Sequence, residues 1–279
     1  MDKKTDERKR ATVTGEEILI VENDPIIGRM LEMLLKSLKY VVTDRVEDGP
    51  DAFIYATTRH PALVVIDTSI SAPIDGIETA CYLNQMFHFP IIFLSSDISP
   101  QTIERAKGAN PLGYLIKPVG KDQFFSTIEI GLNLVRSLKV PGNQNPVQEQ
   151  ITGLLDGEDG IICLNKKDGV LLMNSSAEFI TGATTRAAFL SPVKEILLFH
   201  DEFASSLFAD SLVQAYRGTS SVGKMKEFLV RSKDRSTKSV SVNVLPVRKN
   251  EGEIIGLVIQ LVFTHSSSMR NLVKQHAAL

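Results

Sequence analysis

The chain has 279 residues, of which 43% are hydrophobic and 23% charged, and its formal net charge is −2. That length accommodates about two domains of roughly 150 residues each, and the balance is that of an ordinary globular protein able to build real cores. A charge so close to zero gives no global signal for nucleic acid or an anionic membrane as a partner. The longest apolar stretches, such as "LVVI" and "EIIGLVIQLVF", fall short of the ~20 residues that a membrane-spanning helix needs. The first residues, "MDKKTDERKRATVTGE", are charged and lack the apolar core of a secretory signal. They read as a tail over residues 1–15, and the expected location is cytoplasmic. Cys81 and Cys163 lie in different halves and are expected to be reduced, buried thiols rather than a disulfide.

The first half alternates strand-like and helix-like segments. "EILIVE" is followed by Pro25 at a first helical turn and by an apolar-periodic run to Leu38. "YVVTD" precedes a helix around Ala52–Thr58, and "ALVVID" has the continuous apolar character of a strand buried on both faces. "DGIETACYLNQM" reads as a helix, "PIIFLSS" as a strand, "SPQTIERAKG" as a helix and "LGYLIKP" as a strand. "KDQFFSTIEIGLNLVRSLK" closes the series as a long amphipathic helix. Five such units predict a doubly wound α/β domain with a five-stranded parallel sheet over residues 16–139. In sheets of this kind the working site lies beyond the carboxyl ends of the strands.

"VPGNQNPVQEQ", residues 140–150, reads as a linker on its prolines, glycine and amides. In the second half "GIICLNKKDGVLLMN" predicts a hairpin turning at "KKDG", and short helical pieces follow from Ser176 to Arg217. "GKMKEFLVR", "TKSVSVNVLPVR" and "EIIGLVIQLVF" then read as strands. Strands flanking a block of helices predict an α+β domain with an antiparallel sheet over 151–265. The stretch 266–279 carries a serine cap signal and is expected to be a C-terminal helix or tail.

The strand tips of the first half carry Glu22 and Asn23, then Asp67, then Ser95, then Lys117 before Pro118. Mg²⁺ takes oxygen ligands and usually keeps waters, so one or two carboxylates suffice to hold it. A carboxylate beside the ion can attack phosphorus, while the ion, an amine and a hydroxyl neutralise the transferring oxygens. Each of these residues alone is as readily a solvated loop residue; the ordered set, one per strand tip, is what argues for a site.

On "ILIVENDP", "LVVIDTSI…DGIE", "PIIFLSS" and "GYLIKP" the first half resembles a response-regulator receiver domain, a flavodoxin-like fold. The resemblance implies that Asp67 is the phosphoacceptor, Lys117 the phosphoryl-contacting lysine, Ser95 the switch hydroxyl and Tyr114 the switch aromatic. It implies Mg²⁺ held by Glu22, Asn23, Asp67 and the backbone carbonyl of Ser69, a cis Lys117–Pro118 bond, and a histidine kinase as phosphodonor. Asn23 departs from the aspartate usual in the family. It keeps an oxygen donor but removes one charge, worth up to ~4 kcal/mol at ~4 Å and an effective dielectric near 20 before desolvation, so a weakened Mg²⁺ site is expected. Phosphorylation would bias the surface of the fourth helix, fifth strand and fifth helix, and the long helix at Lys121–Lys139 would carry that bias onward.

"GIICLNKKDGVLLMNSSAEFITGAT" and "VNVLPVRKNEGEIIGLVIQLVF" resemble the opening and closing of a PAS domain. Such domains bind small ligands or mediate dimerisation, so a homodimer through the PAS domain or the receiver is allowed. No flavin-binding cysteine helix is present, and His200 sits ahead of the helix that would supply a haem ligand, so neither haem nor flavin is expected. Lys224, Lys226, Arg231, Lys233 and Arg235 have few interleaved aromatics and read as a solvated sheet edge rather than a nucleic-acid site. The expected function is that of a two-component signalling protein and phosphoprotein, not an enzyme in its own right. The alternatives are the sensory N-terminal part of a histidine kinase or other signalling enzyme truncated at Leu279, and a receiver scaffold that takes no phosphate.

Overall fold

The computed structural model describes residues 15–71, 73–138, 153–155, 157–218, 226–248 and 252–264. The expected linker at 140–150 and the segment 266–279 lie outside the described residues, as does the expected tail apart from Gly15.

The first half alternates β1 (Glu17–Val21), α1 (Pro25–Ser37), β2 (Val41–Val46), α2 (Gly49–Arg59), β3 (Leu63–Asp67), α3 (Gly76–Phe87), β4 (Ile91–Ser95), α4 (Pro100–Lys107), β5 (Gly113–Ile116) and α5 (Lys121–Leu138). The strands form one parallel sheet in the order β2-β1-β3-β4-β5, the flavodoxin-like doubly wound arrangement. β3 and β4 are buried along their whole length, as continuous apolar runs require when helices cover both faces of a sheet. Side chains close the turns into the helices. Asp24 Oδ1 accepts from Ile26 N at 2.8 Å and Ile27 N at 3.1 Å to cap α1, and Asp48, Asp75 and Ser99 cap α2, α3 and α4 in the same way. At the start of α3 the chain returns beneath the tip of β3. A Cβ on Gly76 would lie 1.7 Å from the Asp67 carbonyl oxygen, so only glycine fits there.

The second half forms a six-stranded sheet in the order β7-β6-β11-β10-β9-β8. Its members are β6 (Gly160–Asn165), β7 (Val170–Met173), β8 (Leu198–Phe199), β9 (Lys226–Arg231), β10 (Thr237–Arg248) and β11 (Ile254–Phe263), paired antiparallel throughout. Between β7 and β9 the chain makes α6 (Ser175–Thr181), α7 (Thr185–Ala188), α8 (Val193–Ile196) and α9 (Glu202–Tyr216). The two-residue β8 was not anticipated, because a pair of residues is too short to show a period. The hairpin turn is organised by Asn165, whose Oδ1 accepts from Lys167 N at 2.8 Å and Gly169 N at 3.0 Å. Arg231, Lys233 and Arg235 are exposed on and beyond β9, while Lys224 and the side chain of Lys226 lie outside the described residues.

Three apolar cores result. One fills the α1–α5 side of the parallel sheet, with Leu31, Leu35, Phe124, Ile128 and Leu132. A second lies between the antiparallel sheet and its own helices, with Ile162, Leu164, Phe208, Val242 and Ile259. The third starts on the α2–α3 side of the parallel sheet and runs on into the outward face of the antiparallel sheet, joining Phe53, Leu83 and Met86 to Ile161, Cys163, Leu172, Phe189 and Val258. The halves are therefore seated on one another. The Phe53 and Phe189 rings lie 5.5 Å apart, Asn165 Nδ2 donates to the Tyr82 hydroxyl at 3.4 Å, and Arg186 bridges Asp48 and Asp51. The packing that joins the halves is made by α2 and α3 on the receiver side. Among the described residues no helix is long and apolar enough to cross a membrane.

Candidate functional site

Beyond the carboxyl ends of β1, β3 and β5, Glu22, Asp67 and Lys117 converge. Lys117 Nζ lies 2.6 Å from Glu22 Oε2 and 3.0 Å from Asp67 Oδ2. Glu22 is fully buried and its other oxygen accepts from Asp24 N at 3.0 Å. The Asp67 side chain retains 8% exposure, so it is the carboxylate of the pair that an incoming group can reach. Burial by itself would lower the Lys117 pKa, but bonds to Glu22 and Asp67 outweigh it and the net shift is upward. The ammonium is thus charged throughout the physiological range. The Lys117–Pro118 peptide is cis.

The amide of Asn23 lies beside this cluster and donates from Nδ2 to Ser71 Oγ at 3.0 Å. Asp24, the remaining acid of the "END" run, is committed to capping α1 and faces the helix backbone. Ser69 N donates to Asp67 Oδ1 at 3.2 Å, so the loop after β3 wraps around the acid. Ser95 is completely buried at the tip of β4. Its hydroxyl accepts from Thr68 Oγ1 at 2.7 Å and donates to the Asp97 carbonyl at 3.0 Å. The Tyr114 hydroxyl donates to that same carbonyl at 2.7 Å. Ser95 and Tyr114 thus share one acceptor, and a rotation of either changes the environment of the other. Sequence reading missed Thr68, Ser71 and Asp97. Thr68 was legible as the neighbour of Asp67, but the other two act through loop conformation, which has no period.

Does this donor set fit Mg²⁺? Two carboxylates and one ammonium leave the cluster with one net negative charge, and the Asn23 amide offers its oxygen as a neutral donor. Among the described residues no group of three acidic, histidine or cysteine side chains gathers into a metal site, because the third position is the amide. Mg²⁺ keeps several waters and is commonly held by one or two carboxylates. Glu22, Asp67 and Asn23 therefore fit such an ion, with less charge than a three-acid set would supply.

In the second half the space between the sheet and its helices is filled by Ile162, Leu164, Val242, Leu257 and Ile259, all nearly or fully buried. A cavity of about 460 Å³ opens at the margin of this core, between α9, the α8–β8 segment and the β6–β7 turn. Leu197, Phe199, Phe208 and Leu212 form its apolar wall, with Lys194 and Tyr216 contributing polar groups. The Tyr216 hydroxyl donates to the Asn165 carbonyl at 2.8 Å, and burial with the neighbouring Asp168 carboxylate raises its pKa. His200 is exposed just ahead of α9 and does not line this cavity.

Comparison with known proteins agrees with the two folds and their order along the chain. The family model described as the response regulator receiver domain matches residues 18–129, and the one described as the PAS fold matches residues 156–261. The transcriptional regulatory protein PdtaR of Mycobacterium tuberculosis is 27% identical over 121 residues, which are 43% of this chain and 58% of that protein. The chain thus spans under two thirds of the length of that regulator. The polar-differentiation response regulator DivK of Brucella abortus is 24% identical over 117 residues, 41% of this chain and 94% of DivK. Among solved structures, the signal receiver domain of a modulated diguanylate cyclase from Desulfovibrio desulfuricans G20 is 32% identical. It is matched over 45% of this chain and 100% of its own length, with a TM-score of 0.44.

Proposed function

We propose that this chain, which belongs to the response regulator receiver family through residues 18–129 and carries a PAS fold over residues 156–261, accepts a phosphoryl group on Asp67 from a histidine kinase. The observation that carries the reading is the Glu22–Lys117–Asp67 cluster, with one carboxylate buried and the other reachable. An Asp67 carboxylate oxygen attacks the phosphorus of a phosphohistidine, the P–N bond breaks with its electron pair leaving on the imidazole, and an acyl phosphate forms. Lys117, already 3.0 Å from Asp67, neutralises charge on the transferring oxygens. Mg²⁺ held by Glu22, Asp67, Asn23 and the Ser69 carbonyl would supply further charge neutralisation there.

Ser95 would exchange its bond to the Asp97 carbonyl for one to the new phosphoryl oxygens. Tyr114 would then be the sole side-chain hydroxyl on that carbonyl, and the β4–α4 loop would settle differently. The chain acts as a phosphorylated signalling protein and not as an enzyme on other substrates. No haem or flavin is assigned to the PAS domain; His200, the histidine weighed as a haem ligand, is exposed and does not line the cavity of that domain. A scaffold that takes no phosphate is favoured only by Asn23. Incubation of the full chain with a small acyl phosphate and Mg²⁺, followed by intact-mass measurement, separates the two. The phosphoacceptor reading predicts the gain of one phosphate that is absent in Asp67→Ala. No gain at saturating Mg²⁺ would establish the scaffold.

A further inference from the structure

We infer that Arg186 of the PAS domain is a positioning residue for the phosphoacceptor site, acting through Asp48 and Ser71 on the Asn23 amide; the inference rests on reading that site as one that binds a divalent cation. The path is short: a side-chain hydrogen bond at each end, joined by one backbone bridge. Asn23 Nδ2 donates to Ser71 Oγ at 3.0 Å, and an amide whose nitrogen is engaged in this way has its oxygen to offer a cation. Ser71, in the β3–α3 loop, is paired with Asp48 as an isolated parallel bridge. Asp48 in turn is shared between the two halves of the molecule. Its Oδ1 accepts from Asp51 N at 3.0 Å to cap α2, while its Oδ2 is held by Arg186 Nη2 at 2.6 Å.

The second arm of the Arg186 fork bonds Asp51, so one guanidinium spans the N-cap acid Asp48 and Asp51 of the first turn of α2, a geometry lysine cannot copy. The arginine is itself anchored. The preceding residue, Thr185, is buried and exchanges hydrogen bonds with the Met173 backbone at 3.0 and 2.9 Å. On the other flank Phe189 packs against Phe53 of α2. Without Arg186, Asp48 and Asp51 at the start of α2 would lose the cation that bridges them, and the β2–α2 turn would relax away from Ser71. The amide at the site would lose its fixed orientation. The seated PAS domain is in this sense part of what sets the cation affinity of the receiver.

The experiment is a thermal melt of the full chain across a Mg²⁺ titration, with the apparent dissociation constant taken from the shift. Arg186→Glu and Ser71→Ala should each raise that constant about fivefold, the range of effects carried by coupling residues. The double variant should go no further than either single one, because the two act on one path. Arg186 is exposed and its ion pairs add little to stability, so the cation-free melting temperature of Arg186→Gln should stay close to that of the parent. Arg217→Glu, the same charge reversal at the end of α9, should leave the constant unchanged. Arg186→Gln, which removes the charge but not the stem, serves if the reversal disturbs folding. Unchanged Mg²⁺ affinity in both Arg186 variants beside a shift in Ser71→Ala would overturn the inference, as would multiplicative effects in the double variant or a parent that Mg²⁺ does not stabilise. The readout is cation binding, so a chain that shows these shifts yet takes no phosphate on Asp67 supports the inference and refutes the proposed function.

Discussion

On one side of the receiver sheet, α2 and α3 bury Phe53, Ala56, Leu83 and Met86 completely, and the PAS sheet continues the same core. On the other side, α1 and α5 are just as amphipathic inward, yet their outer faces show Ile26, Met30 and Met33, and Ile130 and Leu134, to solvent. The two layers use similar residues, but among the described residues only the first is covered. The difference shows that apolar exposure is not what distinguishes the docked face. What distinguishes it is directional pairing: the Arg186 fork on Asp48 and Asp51, the Asn165–Tyr82 hydrogen bond and the tilted stack of Phe189 on Phe53. Such contacts fix orientation, where an apolar patch alone gives only adhesion.

The sharpest contrast lies in the thiols. Cys163 sits in the covered core and burial pushes it up to about 12, against an ordinary thiol near 8.5. At pH 8 its thiolate population should be far below that of a free thiol, so labelling should wait for unfolding or undocking. Cys81 is only half-buried on α3 and should react first. The sign for stability follows. The folded form favours the protonated thiol, so its contribution is complete below about pH 8.5 and is lost as the pH rises towards 12. Two thiols labelled at equal rates in the native chain would mean that the PAS sheet does not cover this face.

Truncations should divide in the same way. Phe53→Ala removes a fully buried ring that touches Tyr82, Phe87 and Phe189, and should cost about 3 kcal/mol in denaturant melts. At the site between the layers, Asn23→Asp should tighten Mg²⁺ about tenfold, part of the ~4 kcal/mol that a full charge exerts at close range. The same substitution should lower cation-free stability by about 1 kcal/mol, through repulsion from Glu22 and Asp67. An equal or weaker affinity would mean that position 23 does not face the ion. Asp24 could not take its place without giving up the cap of α1. Smallest of all, Ile130→Ser on the open face should change stability by less than about 0.5 kcal/mol, since 61% of that side chain's residue surface is already in water.

The receiver fold was legible because its signals are local. β3 and β4 are unbroken apolar runs, Pro25, Pro50 and Pro100 mark helix starts, and Asp24, Asp48, Asp75 and Ser99 cap them. The cluster was legible because parallel strands deliver their last residues to one edge, so Glu22, Asp67, Ser95 and Lys117 meet by topology. Asn23–Ser71 and the shared Asp97 carbonyl were not, since they depend on loop paths that carry no repeat. The docking of the halves left a trace that went unread. In an antiparallel sheet with one wet face, "GIICLN" should alternate, but all six residues of β6 are buried. The missing polar positions marked a second covered face, and Gly256 marked how close the cover comes, a Cβ there meeting Met86 Cε at 2.9 Å.

Amide hydrogen exchange tests the seating of the PAS domain on α2 and α3 most directly, comparing the full chain with receiver and PAS pieces cut within residues 140–150. Docking predicts that separation speeds exchange in α2 and α3 and in β6 and β7, while α1, α4 and α5 exchange as before. Unchanged protection in α2 and α3, with the loss falling on α5 instead, would contradict it and return the relay to the long helix.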